Sequence, residues 1–333
     1  MAVRGEEIEP RAVALEEQLI PRRRVGVGTQ LLRQAIRKPL GTFGVICILI
    51  MGVAAAFATG VEVPLLGVEI PALSRYKPEA VFKMVNPLYD PNTFNPEALS
   101  PTTLDRQGAP TLDHWFGTDS AGRDVWARVT IGARRSLTIG VGAMSIATIA
   151  GAFLGVISAY FGGRLDILLQ RVLDAIQAFP ALLLLILITS ITEPKIMWLI
   201  VAMGFVGITQ ISRIVRSTVL SLREQPYVEA ARVLGANDLR LMAVHILPNT
   251  MAPIIVVFTI GLGTVIIAEA ALSFLGLAPP GVSWGQMLNE GRNFIYSSPW
   301  QAVFSGLAIT LAVLGFNLAG DGLRDILDPR LRG

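Results

Sequence analysis

Six stretches of the chain carry apolar residues over a length that can cross a membrane. A helix needs about 20 apolar residues to span the hydrocarbon layer, and the first stretch, LGTFGVICILIMGVAAAFAT, contains no charged residue. It starts too deep in the chain and is too long for a signal peptide. The spans are predicted at 40–59, 137–161, 175–191, 196–211, 250–272 and 301–320. The pattern predicts an all-α, polytopic membrane protein.

The composition supports a lipid bilayer as the surroundings and excludes several other classes of protein. Only 16% of the 333 residues are charged, whereas soluble domains approach a quarter. A single cysteine, Cys47, rules out a disulfide framework within the chain, and we read it as a small buried apolar residue. Two distant histidines, His114 and His245, do not suggest a metal site. The net charge of +3 and the absence of a basic patch argue against a nucleic-acid partner.

The distribution of Lys and Arg predicts that both termini are cytoplasmic, because positive residues accumulate in inner segments. Arg128, Arg134 and Arg135, at the outer end of the second span, fit this rule less well. The predicted organisation is a cytoplasmic tail (1–39), a first transmembrane helix (40–60), an extracytoplasmic loop (61–135), a five-helix core (136–320) that contains a cytoplasmic segment (212–248), and a cytoplasmic tail (321–333).

The cytoplasmic segment 212–248 has the pattern of a helix, a glycine corner and a second helix. Pro226 suits the first turn of a helix, Gly235 suits a left-handed helix end, and Asn237 suits the cap of a second helix, which we expect Pro248 to close. A solvated connector is one interpretation. The other is a low-profile helix that inserts into a groove of a partner protein, which the ordered pattern and the unusual length favour.

This segment resembles the EAA signature of ABC importer permeases. The chain reads Glu229-Ala230-Ala231, three residues, Gly235, and then Leu247-Pro248. His245 stands where the family pattern has isoleucine, which is the one departure. Three further stretches resemble the dipeptide, oligopeptide and nickel branch of these permeases, and in particular the second permease of the pair: FGTDSAGRDVWARVTIGARRSL (116–137), ALSFLGLAPPGVSWGQML (271–288) and GDGLRDILDPRLR (320–332).

The resemblance implies a type I ABC importer permease in a prokaryotic cell membrane. It implies a second permease subunit, two ATPase subunits or one fused ATPase, and an extracytoplasmic solute-binding protein as partners. ATP and magnesium would be bound by the ATPases, and this chain would hold no cofactor. The residues implied in ATPase coupling are Glu229, Ala230, Ala231, Arg232, Leu234 and Gly235.

The chain also lacks a phosphate-binding loop, because none of its four lysines is preceded by Gly or followed by Ser or Thr. We therefore expect no ATP hydrolysis and no other enzymatic activity in this chain. The substrate implied is a short peptide, with nickel chelates, glutathione or other oligomeric solutes as alternatives.

An ion-coupled secondary transporter is the rival from another class, since such proteins place carboxylates within the membrane. Glu269 is the one acidic residue well inside a predicted span. It is a weak candidate for the substrate pathway, and a helix cap or an ion pair with an arginine are the alternatives.

Overall fold

A computed structural model describes residues 39–56, 58, 61–63, 68–70, 107–112 and 114–327. The helices are α1 Pro39–Ala56, α2 Val125–Phe161, α3 Gly163–Gln177, α4 Ala181–Ile191, α5 Ile196–Leu222, α6 Pro226–Val233, α7 Asp238–Arg240, α8 Leu247–Phe274, α9 Trp284–Arg292 and α10 Trp300–Leu327. Two short strands, β1 Val61–Val63 and β2 Val68–Ile70, form an antiparallel hairpin. The predicted all-α class is confirmed for the body of the protein.

Among the described residues, five helical stretches are long and apolar enough to cross a membrane. They are α1, α2, α5, α10 and the continuous stretch Asp238–Phe274. A sixth span is obtained when α3 and α4 are counted together, although these helices meet at an angle of 82°. Pro180 lies directly before α4 and cannot donate a backbone hydrogen bond. The sharp break between α3 and α4 therefore coincides with Pro180.

Several predicted boundaries differ from those in the structure; α5, for example, continues to Leu222, inside the predicted segment 212–248. The second span was placed from residue 137, but α2 begins at Val125, inside the predicted loop 61–135. The last helix continues to Leu327, beyond the predicted end of the core at 320. Charged side chains lowered the hydropathy at both ends, yet a charged helix can continue where its side chains are paired or solvated. The predicted tail 1–39, apart from Pro39, most of the loop 61–135 and the end of the tail 321–333 lie outside the described residues.

The prediction that Pro248 closes a helix is wrong. The chain passes from α7 through a wider π-helical turn, Leu241–Ile246, and continues without interruption into α8. In this turn the amide of Leu247 donates to the carbonyl oxygen of Met242, five residues earlier. The shift in register accommodates Pro248, which has no N–H and whose ring would clash with a carbonyl in a regular α-helix.

Small residues hold α2 and α5 together. A Cβ on Gly155 would lie 2.6 Å from the carbonyl oxygen of Ser212, and one on Gly151 would lie 2.7 Å from Cβ of Ile211. On α5, a Cβ on Gly204 would lie 2.8 Å from Cβ of Ile146. Close backbone approach through small residues is a common way to pack transmembrane helices. The two helices are therefore expected to move as one unit.

Candidate coupling site

The short helix α6 is attached to the bundle along one side only. Pro226 occupies its first turn, as predicted. Val228 is fully buried, and the hydroxyl of Tyr227 accepts a hydrogen bond from the side chain of Asn249 at 3.3 Å. The opposite side is exposed and includes Glu229 and Arg232. Glu229 lies in the first turn and Arg232 in the last, where each charge is favoured by the helix dipole.

Gly235 ends α6 in the left-handed conformation that the sequence predicted, with φ +86°. Its amide donates to the carbonyl oxygen of Arg232, and the amide of Ala236 donates to that of Ala231, each at 3.0 Å. This pair of bonds is a Schellman motif, which satisfies carbonyls at the helix end. No atom lies within 4 Å of the position that a Cβ on Gly235 would take. Glycine is therefore required for its conformation and not for space.

The corner at Gly235 presents large apolar side chains to solvent. Val233 is 82% exposed and Leu234 is 88% exposed, and Leu239 on α7 is 72% exposed. We call Val233, Leu234 and Leu239 the apolar tip. Exposed apolar clusters with polar rims are typical of protein contact sites, and here Glu229 and Arg232 supply such a rim.

The second half of the segment is anchored in the bundle. The side chain of Asn237 accepts a hydrogen bond from the amide of Arg240 at 2.9 Å, which confirms the predicted cap. Leu241 and Ile246 are fully buried. Beside them, the hydroxyl of Tyr160 donates to Oδ1 of Asp238 at 2.5 Å. The apolar tip thus projects from a base that is fixed to the spans.

Glu269 does not line an open pathway. Its side chain is fully buried, and it accepts hydrogen bonds from Ser273 at 2.8 Å and from Ser136 at 3.2 Å. The nearest guanidinium nitrogen of Arg135 lies 3.8 Å away. Arg135 also donates to the carbonyl oxygens of Pro279 and Pro280, in the segment that follows α8. Glu269 is therefore part of a contact between α2, α8 and the outer segment, as the ion-pair alternative anticipated.

A buried polar network at the start of α2 was not predicted from the sequence. Asp119 pairs with Arg123 at 2.6 Å and also with Arg128. Glu290, on α9, lies 3.0 Å from Arg128 and 3.2 Å from Arg123. Gln301 also donates to Glu290, at 3.0 Å. These acidic partners explain why arginines stand at the outer end of the second span despite the positive-inside rule.

Two arginines below the fourth span also have partners that the sequence did not reveal. Arg216 makes a bidentate salt bridge with Asp166 on α3, with hydrogen bonds of 2.7 and 2.6 Å. Arg213 contacts Asp174 at 2.9 Å. These contacts tie α3 to α5 on the inner side.

A recess of about 580 Å³ opens beside the α3–α4 break. Its walls come from the break itself, from α5 and from α8, and most of its lining is apolar. The polar side chains that line it are Gln177, Thr209, Gln210 and Thr264. Gln177 donates to the hydroxyl of Thr209 at 3.0 Å. None of these four side chains is ionisable, so the recess can offer hydrogen bonds without a fixed charge.

The sequence of residues 151–333 matches the family of binding-protein-dependent transport system inner membrane components. The chain belongs to this family. The match contains the whole of the segment that carries Glu229 and Gly235. This permease is therefore a multi-pass inner-membrane subunit of an ABC importer.

Known proteins agree with this assignment. The permease is 46% identical to the dipeptide transport system permease protein DppC of Alkalihalophilus pseudofirmus, over 68% of this chain and 75% of the relative. It is also 46% identical to the glutathione transport system permease protein GsiD of Escherichia coli O6:K15:H31, over 67% of this chain and 75% of the relative. An inward-facing structure of the MetNI methionine ABC transporter matches with a TM-score of 0.51 at 18% identity, over 60% of this chain and 96% of that chain. The last match supports the type I importer fold.

Proposed function

We propose that this permease couples ATP hydrolysis on separate subunits to the passage of short peptides. The observation that carries the proposal is the apolar tip, which a rigid glycine corner holds away from the bundle. Burial of a large apolar side chain contributes about 1.5–3 kcal/mol, so an exposed Leu234 gains stability when a partner covers it. An ATPase groove on the cytoplasmic side is the occupant that the family membership favours.

The coupling residues in this proposal are Glu229, Ala230, Ala231, Arg232, Leu234 and Gly235. The small side chains of Ala230 and Ala231 keep the helix thin enough to enter a groove. The charges of Glu229 and Arg232 orient it, because charged rims give contacts their register and specificity. ATP and magnesium are bound by the partner chains, and both termini of the permease are cytoplasmic.

The recess beside the α3–α4 break supplies this chain's part of the transport pathway. A second, homologous permease completes the pathway, and an extracytoplasmic binding protein delivers the solute. Uncharged hydrogen-bonding groups in a mainly apolar wall suit the backbone of a short peptide without selecting one sequence. The names of the dipeptide permease and the putative peptide permease of Brucella suis among the relatives support this substrate class. The glutathione permease supports a peptide-like solute as the alternative.

Charge reversal at Glu229 tests the coupling role. The permease is reconstituted with its sister permease, its ATPases and its binding protein, and uptake of radiolabelled alanyl-alanine is measured with ATP or with a non-hydrolysable analogue. We expect Glu229→Lys to abolish ATP-driven uptake while the spans still insert. Glu193→Lys, a change at another exposed carboxylate, between α4 and α5, serves as the control.

Unchanged uptake by the Glu229→Lys complex would remove the coupling assignment. Uptake driven by a proton gradient without ATPase subunits would favour the secondary-transporter alternative instead. The two outcomes can be told apart, because uptake driven by a proton gradient is measured on the permease without any substitution.

A further inference from the structure

A single tyrosine hydroxyl joins the end of the second span to α7, which follows the glycine corner. Tyr160 is the last residue but one of α2, and its hydroxyl donates to Oδ1 of Asp238 at 2.5 Å. Asp238 follows Gly235 in the chain, so this bond fixes the far arm of the corner to the end of α2.

The position of this bond within the chain gives it mechanical significance. The corner is covalently linked to α5 through residues 223–225 and to α8 through the π-helical turn. The guanidinium of Arg223 donates to the carbonyl oxygen of Ala159 at 2.7 Å, which fixes the end of α5 to the end of α2. The Tyr160 bond then fixes α7, at the start of the path to α8, to that same end of α2. Together these contacts close a ring that contains α2, α5, α6 and α7.

A closed ring transmits displacement differently from an open chain. When α6 is pushed, a rigid corner carries the displacement to α2 with α5 and to α8 together. If the bond at Tyr160 is absent, α7 loses its direct tie to α2 and we expect the corner to flex more, while the buried Val228 and Leu241 and the Tyr227–Asn249 bond still hold the segment to the bundle. The spans that line the recess would then follow α6 less closely.

We propose that Tyr160 is a positioning residue for coupling, whose hydroxyl holds the Gly235 corner against α2. Its role is one of position and not of contact with nucleotide or solute, and it acts through Asp238. The inference rests on the proposed function, since an ATPase must push α6 for the bond to transmit anything. Coupling between sites commonly amounts to about 5- to 150-fold, and the loss of one partly exposed bond is expected at the low end of this range.

The test compares Tyr160→Phe with Tyr296→Phe in the reconstituted complex. Both substitutions remove only a phenolic hydroxyl, and Tyr296 is fully exposed in the segment between α9 and α10. We expect Tyr160→Phe to hydrolyse ATP at the wild-type rate while alanyl-alanine uptake per ATP falls by about 5- to 10-fold. Tyr296→Phe should behave as wild type. An unchanged ratio of uptake to hydrolysis in Tyr160→Phe overturns the proposal. If both activities fall in proportion, the ratio is also unchanged, and the role of Tyr160 is then purely structural.

A double-mutant cycle tests whether Tyr160 acts through Asp238. Asp238→Ala, which removes the acceptor, should lower uptake per ATP in the same way, and the double variant should be no worse than either single variant. Additive losses would show that the two side chains act independently.

A distance measurement separates this inference from the substrate assignment. Spin labels are attached at Arg240→Cys and Ile149→Cys in a Cys47→Ser background, and the distance distribution is recorded with and without ATP and vanadate. Both label sites are exposed. We expect one narrow distribution that ATP leaves unchanged in the wild type, and a broadened or shifted one in Tyr160→Phe. Identical distributions in Tyr160→Phe and Tyr296→Phe overturn the proposal even if alanyl-alanine is not a substrate.

Discussion

Replacing Gly235 by alanine should loosen the glycine corner without a steric clash. The residue has φ +86°, and a Cβ there would meet no atom within 4 Å. The cost is therefore that of placing an ordinary residue in the left-handed region, about 1–2 kcal/mol. Since about 1.4 kcal/mol is a factor of ten, the corner should open about 5- to 30-fold more often.

Hydrogen exchange measures this opening directly, because the amides of Gly235 and Ala236 close the helix end. We expect their exchange to accelerate by about 5- to 30-fold in Gly235→Ala, and uptake per ATP to fall. Gly235→Asn should show a smaller effect, since asparagine tolerates this conformation. Gly276→Ala is the matched control: φ is +75° and the Cβ position is equally open. It should accelerate exchange only around its own position and leave coupling intact. Wild-type exchange at the corner of Gly235→Ala would refute the conformational argument.

Two further substitutions test the packing of the spans. Gly155→Leu places a side chain against the Ser212 carbonyl and should separate α2 from α5, which would be measured as a lower Tm in detergent and loss of the monodisperse complex. Gly52→Leu, where an added Cβ meets nothing within 4 Å, should show neither effect. Equal behaviour of the two variants would contradict the account. Glu269→Leu leaves the Arg135 charge without its buried partner and should destabilise the permease by about 3 kcal/mol. Glu269→Gln should cost less in Tm and retain ATP-driven uptake, whereas loss of uptake with an unchanged Tm would favour the ion-coupled secondary transporter.

The glycine corner was predictable because its signals are local. Pro226, Gly235 and Asn237 each have a backbone preference that depends on few neighbours, and each occupies the position that this preference indicated. The apolar spans were predictable for a related reason, since hydropathy over about 20 residues reports the surroundings of a transmembrane helix.

The start of α2 and the role of its arginines depended on distant residues. Arg128 is paired with Glu290 and Arg135 lies beside Glu269, which are more than 130 positions away in the sequence. No local pattern reveals such a pair. Hydropathy alone therefore predicts a helix boundary at charged residues that in fact extend the helix. The prediction that Pro248 closes a helix is wrong for a different reason. A π-helical turn accommodates the proline, and nothing in the local sequence distinguishes this turn from a helix end.

The path from the corner to the spans also could not be read from the sequence. Tyr160 and Asp238 are 78 positions apart, and neither belongs to a motif that assigns it a partner. Only the packing of α2 against α5 brings the end of the second span beside α7.

Site-specific photocrosslinking tests the central claim most directly. Benzoylphenylalanine is introduced at Leu234, in the apolar tip, or at Leu112, which is 92% exposed near the outer end of α2. The assembled complex is then irradiated and its subunits are separated by mass. The account predicts an adduct between the permease and an ATPase subunit from position 234 and none from position 112. An assembled complex that gives no ATPase adduct from position 234 would contradict the claim that this corner contacts the ATPase.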